Sequence, residues 1–227
     1  MDSRQGILEK LRATRRSGPL RDCPSFTPQL IFADIPAADL NTLFEQFSRK
    51  LTALKGEVHR VATLQEAAQT IARLAHDSGF VRCGRQREPL LDRLFQGFTE
   101  LESLEAQMIV VGHEPRAHNV VEGMQCAFTV ADALIARTGS IVLRATTAGG
   151  RRLSVLPPVH CVVARSNQLI PCLSSWLREV HDDRSWSYGT IITGPSRTAD
   201  IERILVLGAH GPKRLIVVMI DSPDESH

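Results

Sequence analysis

The run Leu215-Ile216-Val217-Val218-Met219-Ile220 is the feature that most narrows what this chain can become. Unbroken apolar residues with several β-branched members suit a strand covered on both faces, which is the environment of a parallel sheet. A similar run, His160–Ala164, lies upstream, with Cys161 packing as a small hydrophobe. Between the two the pattern alternates. Strand 160–164 leads to a helix over 168–180, strand 190–193 to a helix over 198–205, and strand 214–220 closes the set. Alternation of this kind predicts an α/β fold, with a mostly parallel sheet and flanking helices.

The upstream half supplies more of the same layers. Leu40, Leu43, Phe44, Phe47, Leu51 and Leu54 follow helical spacing, with Gly56 placed to stop them. Residues 57–62 read as a strand. Thr63 and Glu66 form a capping box for a helix to about residue 76, with Gly79 behind it. Residues 80–83 and 108–111 read as short strands and 89–95 as a short helix. Two β-type runs, 127–130 and 140–143, flank Thr138-Gly139. A short amphipathic helix over 3–16 and a Pro-rich linker precede all this. The expected organisation is an N-terminal helix and linker over 1–36 and one α/β domain over 37–227.

Charge excludes some functions. Residues 1–21 carry six bases against two acids, while the whole chain of 227 residues is only +2. The basic tail reads as a solvated or docking segment, and no broad phosphate-binding surface follows. Arg82, Arg85 and Arg87 lack interleaved aromatics, so nucleic acid is not expected as a partner. No apolar run is long enough to span a bilayer, and no signal-peptide pattern opens the chain. The five cysteines are widely spaced without a C-x-x-C, which argues against disulfides, a metal or a cluster in this chain and for a reducing cytoplasm.

The leading candidate site is the loop Gly194-Pro195-Ser196-Arg197-Thr198 between the expected strand and helix. Parallel sheets bind ligands at the carboxyl ends of their strands, and free N–H groups at a helix start favour an anion. Ser196 and Thr198 offer hydroxyls and Arg197 a charged fork. In the plainer reading, Thr198 or Ser196 only caps the helix, and Asp200 and Glu202 complement its dipole. The loop is neither a P-loop nor a nucleophile elbow. His210, in Gly208-Ala209-His210-Gly211-Pro212, is either a proton carrier near the site or a locally bonded turn residue. Thr138 and Gly139, in Ala136-Arg137-Thr138-Gly139-Ser140, are further candidates or a simple turn. Arg152, Ser154 and His160 read equally well as surface or core. His113-Glu114-Pro115-Arg116-Ala117-His118 has the wrong spacing for a zinc protease.

These segments in this order resemble the LUD domain of the lactate utilization proteins, and within it the C-type, or YkgG, branch. The likeness is carried by Ala131-Asp132 with Ala136-x-Thr138-Gly139-Ser140, by Leu153-Ser154-x-Leu156-Pro157-Pro158, by Gly194-Pro195-Ser196-x-Thr198-Ala199-Asp200-Ile201-Glu202, and by Leu205-Val206-x-Gly208-x-His210-Gly211-Pro212. It is strongest over 126–221. It implies a fold like the NagB/RpiA/CoA-transferase group. It also implies a role in oxidising L-lactate to pyruvate beside two iron–sulfur partners, the A and B components, which would hold the clusters that this chain lacks. On that basis the 194–202 loop takes a small carboxylate or a partner. Two alternatives are a stand-alone CoA-transferase-like or isomerase-like enzyme and a non-catalytic interaction module. The enzyme needs a carboxylate nucleophile or base. Arg137 stands where relatives often carry an acid, leaving Asp132, Asp200 and Glu202 as substitutes.

Overall fold

The computed structural model describes residues 3–13, 39–111, 123–144, 150–180, 183, 185–186, 188–198, 206–207 and 211–221. The chain divides into two compact units, residues 1–35 and 36–227. In the first, α1 (Ser3–Ala13) leaves Ile7 and Leu8 exposed.

The second unit opens with α2 (Leu40–Ala53). Asp39 caps it, its carboxylate accepting from the backbone N–H groups of Asn41 and Thr42 at 2.9 and 3.0 Å. The left-handed residue beyond its end is Lys55 (φ 70), one place before the expected glycine stop. Then come β1 (Glu57–Val61) and α3 (Leu64–Ser78), which starts at Thr63 and ends on left-handed Gly79. Glu66 N–H donates to the Thr63 hydroxyl while the Glu66 carboxylate accepts from Ala62 N–H, close to the predicted capping box. Next are β2 (Cys83–Gln86), α4 (Pro89–Gly97), α5 (Glu102–Glu105), β3 (Met108–Val111), β4 (Cys126–Val130), β5 (Ala133–Ile135) and β6 (Ser140–Arg144). The chain continues through α6 (Gly150–Leu153), β7 (Val159–Arg165), β8 (Leu169–Ile170), α7 (Leu173–Val180), β9 (Gly189–Ile192), β10 (Arg197–Thr198), β11 (Val206–Leu207) and β12 (Arg214–Ile220).

Six strands form one all-parallel sheet in the order β1-β12-β7-β4-β2-β3. Alternation sends side chains to two faces. On one face Cys83, Cys126, Phe128, Cys161, Val163, Ile216 and Val218 pack against α3 and α4. On the other Val162, Ala164, Leu215, Val217 and Met219 pack against α2 and a small sheet of order β8-β5-β6-β9. Farther along that second face, Ala127 packs with Met124 and with Leu153 of α6. Both faces are apolar, so the continuous runs 215–220 and 161–164 are the expected sequence signature.

Four expectations change. Residues 189–192 are not in the parallel sheet but pair antiparallel with β6 at the edge of the small sheet. Their exposure alternates, as suits a strand with one wet face. The helix expected from Thr198 does not begin there. Arg197 and Thr198 pair antiparallel with Leu207 and Val206, so this segment leaves the turn as a β-arm. The helix expected over 168–180 starts at Leu173, because Pro171 biases Ile170 to the extended state and Leu169-Ile170 joins β5 instead. The strand expected at 80–83 lies at 83–86.

Candidate functional site

Of the sequence-derived candidates, Thr138, Gly139, Gly194 and Ser196 lie at the amino edge of the parallel sheet. Ser196 N–H donates to Pro212 C=O at 2.8 Å, and Lys213 N–H donates to Pro158 C=O at 2.8 Å. Pro158 directly precedes β7 and Pro212 stands two residues before the start of β12, so the Gly194–Ser196 turn lies where those strands begin. The expected position at the strands' carboxyl ends is therefore corrected. It assumed that residues 190–193 run within the parallel sheet, and they do not.

Two glycines fit this turn region against α2. Gly139 has φ 67, and a Cβ there would sit 2.6 Å from Leu51 N and 2.8 Å from Lys50 Cβ. Gly194 has φ 89, and its Cβ would lie 3.0 Å from Leu54 Cβ. Both positions combine left-handed backbone with close approach, so glycine is required twice over. With the two turns held side by side, Ser140 Oγ donates to Thr138 Oγ1 at 2.7 Å and lies 2.8 Å from Thr193 Oγ1. Ser140 is buried while Thr138 and Thr193 are exposed. Thr193 is thus a member that sequence reasoning missed; its signal was only its place directly before Gly194.

Among the described residues, charge at this edge is positive on balance. Lys50, Lys55 and Lys213 are exposed beside these turns. Arg214 is paired: its Nε and Nη2 donate to Glu57 and its Nη1 donates to Ser78 Oγ. That pairing holds the Glu57 carboxyl below its ordinary value. For Arg197 and Thr198 only the strand backbone is described, and Asp200, Glu202 and His210 lie outside the described residues.

The carboxyl edge has the opposite character. The chain runs outward from β2 to β3 and then places β4 on β2's other side, so the winding reverses between β2 and β4. Such a reversal opens a crevice in parallel sheets. Glu88 follows β2 there and Asp132 follows β4. Asp132 accepts from Arg144 Nε at 2.6 Å and from Arg144 N–H, and Arg144 also donates to Asp183. Burial first, then the charges of Asp132 and Asp92, push the Glu88 carboxyl upward.

An open, all-parallel sheet covered on both faces, with a small mixed sheet on one of them, defines an α/β protein of sheet-and-layer design. The chain belongs to the LUD domain family, which it matches over residues 44–220. It is 26% identical over 223 residues to lactate utilization protein C of Halalkalibacterium halodurans, covering 95% of this chain and 94% of that protein. It is 29% identical over 185 residues to the uncharacterized protein YkgG of Escherichia coli, covering 78% of each. In fold it resembles the crystal structure of a DUF162 family protein from Deinococcus radiodurans, with a TM-score of 0.60 at 17% identity over 81% of this chain and 99% of that one. Among the described residues, no helix is long and apolar enough to cross a membrane.

Proposed function

We propose that this chain is the C-type component of an L-lactate utilization system, acting in the oxidation of L-lactate to pyruvate beside iron–sulfur partner proteins. The observation that carries this reading is the near full-length likeness to a lactate utilization protein C, with 94–95% of both chains covered. In this reading the clusters reside in the partners, the compartment is the cytoplasm, and the sheet is kin to the NagB/RpiA/CoA-transferase group. The cysteines described, Cys83, Cys126, Cys161 and Cys172, are unbridged thiols, in keeping with a reducing compartment.

A small carboxylate docks at the amino edge, between the turns Thr138–Ser140 and Thr193–Ser196. The Thr138 hydroxyl can donate to it, because Ser140 donates to Thr138 and Thr193 in turn donates to Ser140, and the neighbouring lysines provide an attractive field. Glycine at 139 and 194 lets the backbone come close. Arg197, Thr198, Asp200, Glu202 and His210 are carried as further members of this site on the strength of the family motif. A stand-alone enzyme using Asp132 as nucleophile is less favoured, because both Asp132 oxygens already accept hydrogen bonds from Arg144.

Reconstitution tests the reading. The two iron–sulfur partner proteins are mixed with L-lactate and an artificial electron acceptor, with and without this chain. Acceptor reduction should require the chain, and it should fall when Ser196→Ala is combined with Thr193→Ala. An undiminished rate without the chain would remove it from the reaction.

A further inference from the structure

Among the described residues, one buried polar group on the second face of the sheet is left unsatisfied. His160, second residue of β7, is fully buried. Its strand neighbours are Ala127 on one side and Leu215 on the other, so it stands in the seam between two apolar clusters, that of α2 with the small sheet and that of α6. Nε2 lies 2.9 Å from Thr129 Oγ1. Nδ1 is also buried, and it has no hydrogen-bond partner among the described residues. An orphaned buried nitrogen forfeits the hydrogen bond it had to water, so its retention calls for a reason.

Its direction supplies one. Thr129 is paired with Val162, two residues beyond His160 toward the carboxyl end of the sheet. Nε2 therefore points up the strands. The bonding directions of the two nitrogens diverge widely around the imidazole ring, so Nδ1 points the other way, toward the amino edge. That is the edge where Pro158, Lys213 and the Ser196–Pro212 bond lie. Residue 160 is two places beyond Pro158, and its neighbour Leu215 is three beyond Pro212.

We infer that His160 Nδ1 is a specificity contact of the amino-edge site, hydrogen-bonded to the 2-oxygen of a small 2-hydroxy or 2-oxo carboxylate whose carboxylate end sits at the 138–140 and 193–196 turns. This rests on the carboxylate reading of that edge. Burial keeps the imidazole neutral, its pKa pushed down to about 3. A neutral ring suits a neutral hydroxyl or carbonyl better than a carboxylate. The Thr129 hydroxyl fixes which nitrogen carries the proton, and rotating that hydroxyl lets Nδ1 donate to a carbonyl or accept from a hydroxyl. Nδ1 is shut off from bulk solvent, so the ligand reaches it by entering the seam ahead of Leu215.

The test is an NMR titration of the full-length protein with L-lactate, pyruvate and propionate, the last lacking a 2-oxygen. The amides of Gly194 and Ser196 should shift with all three. The His160 Nδ1 resonance should shift with L-lactate and pyruvate and stay fixed with propionate. His160→Gln should weaken L-lactate by about three- to tenfold, the value of one neutral hydrogen bond, and leave propionate unchanged. If the amides move while Nδ1 does not, or if propionate moves Nδ1 equally, the histidine contact is overturned and the carboxylate site stands. If neither moves, both readings fall.

Discussion

A neutral buried histidine makes stability depend on pH in one direction only. The folded His160 pKa lies at about 3 against an ordinary 6.5. Below about pH 6.5 the unfolded chain takes up a proton there and the folded chain does not. The stability that His160 contributes is thus complete above that point and is lost as pH falls toward 3, at up to about 1.4 kcal/mol per pH unit. Urea unfolding between pH 7 and pH 5 should show this slope, and His160→Gln should flatten it; equal slopes in the two proteins would mean that the ring protonates in the fold. The sequence left His160 undecided between surface and core. Only the strand register shows that its nearest polar partner is Thr129, thirty-one residues upstream. Ser140 and Thr193, fifty-three residues apart, were no more visible as a pair.

At the scale of elements, local signals served where they were self-contained. Thr63 with Glu66 and Gly79 each describe a helix end within one turn of chain, and α3 stands where they direct. The readings of 190–193 and of Thr198 failed because their pattern has two solutions; residues 199–205 of the expected helix lie outside the described residues. Thr190–Ile192 can be a buried parallel strand or a half-wet antiparallel edge, and the choice belongs to β6, which lies some fifty residues upstream. Thr198 can cap a helix or pair with Val206, and pairing won. What joins the turns to α2 is tighter. Gly139→Ala places a methyl within 3 Å of the Lys50 and Leu51 backbone at a positive φ, so α2 must shift or the turn must open. The expected loss is roughly 2–4 kcal/mol, read as a fall in thermal or urea midpoint. A substitution costing under about 0.5 kcal/mol would show that the contact is loose.

Across the whole molecule, the two edges of one sheet are built differently. Lysines and hydroxyls surround the amino edge, whereas the carboxyl edge carries Glu88 beside ion-paired acids, Asp132 and Asp183 with Arg144 and Asp221 with Arg60. The general expectation for parallel sheets puts ligands at the carboxyl edge, in the crevice between β2 and β4. For a carboxylate ligand an ionised Glu88 makes that crevice unfavourable, which is why the site is assigned to the other side. Glu88 makes the contrast measurable. Its pKa is raised by burial and by the charges of Asp132 and Asp92, so the folded chain holds a proton there more tightly than the unfolded chain. For a raised carboxyl, stability declines as pH rises from the ordinary value through the folded one, and the ionised group is a cost at neutral pH. Glu88→Gln should therefore be more stable than the parent at pH 7, with the gain shrinking at pH 4. Asp132→Asn should bring the Glu88 pKa down, measured by NMR titration of the side-chain carboxyl. Neither change should weaken pyruvate, because neither residue faces the amino edge. A Glu88→Gln protein that lost pyruvate binding would move the site to the crevice, and with it the reading of which edge of this sheet is functional.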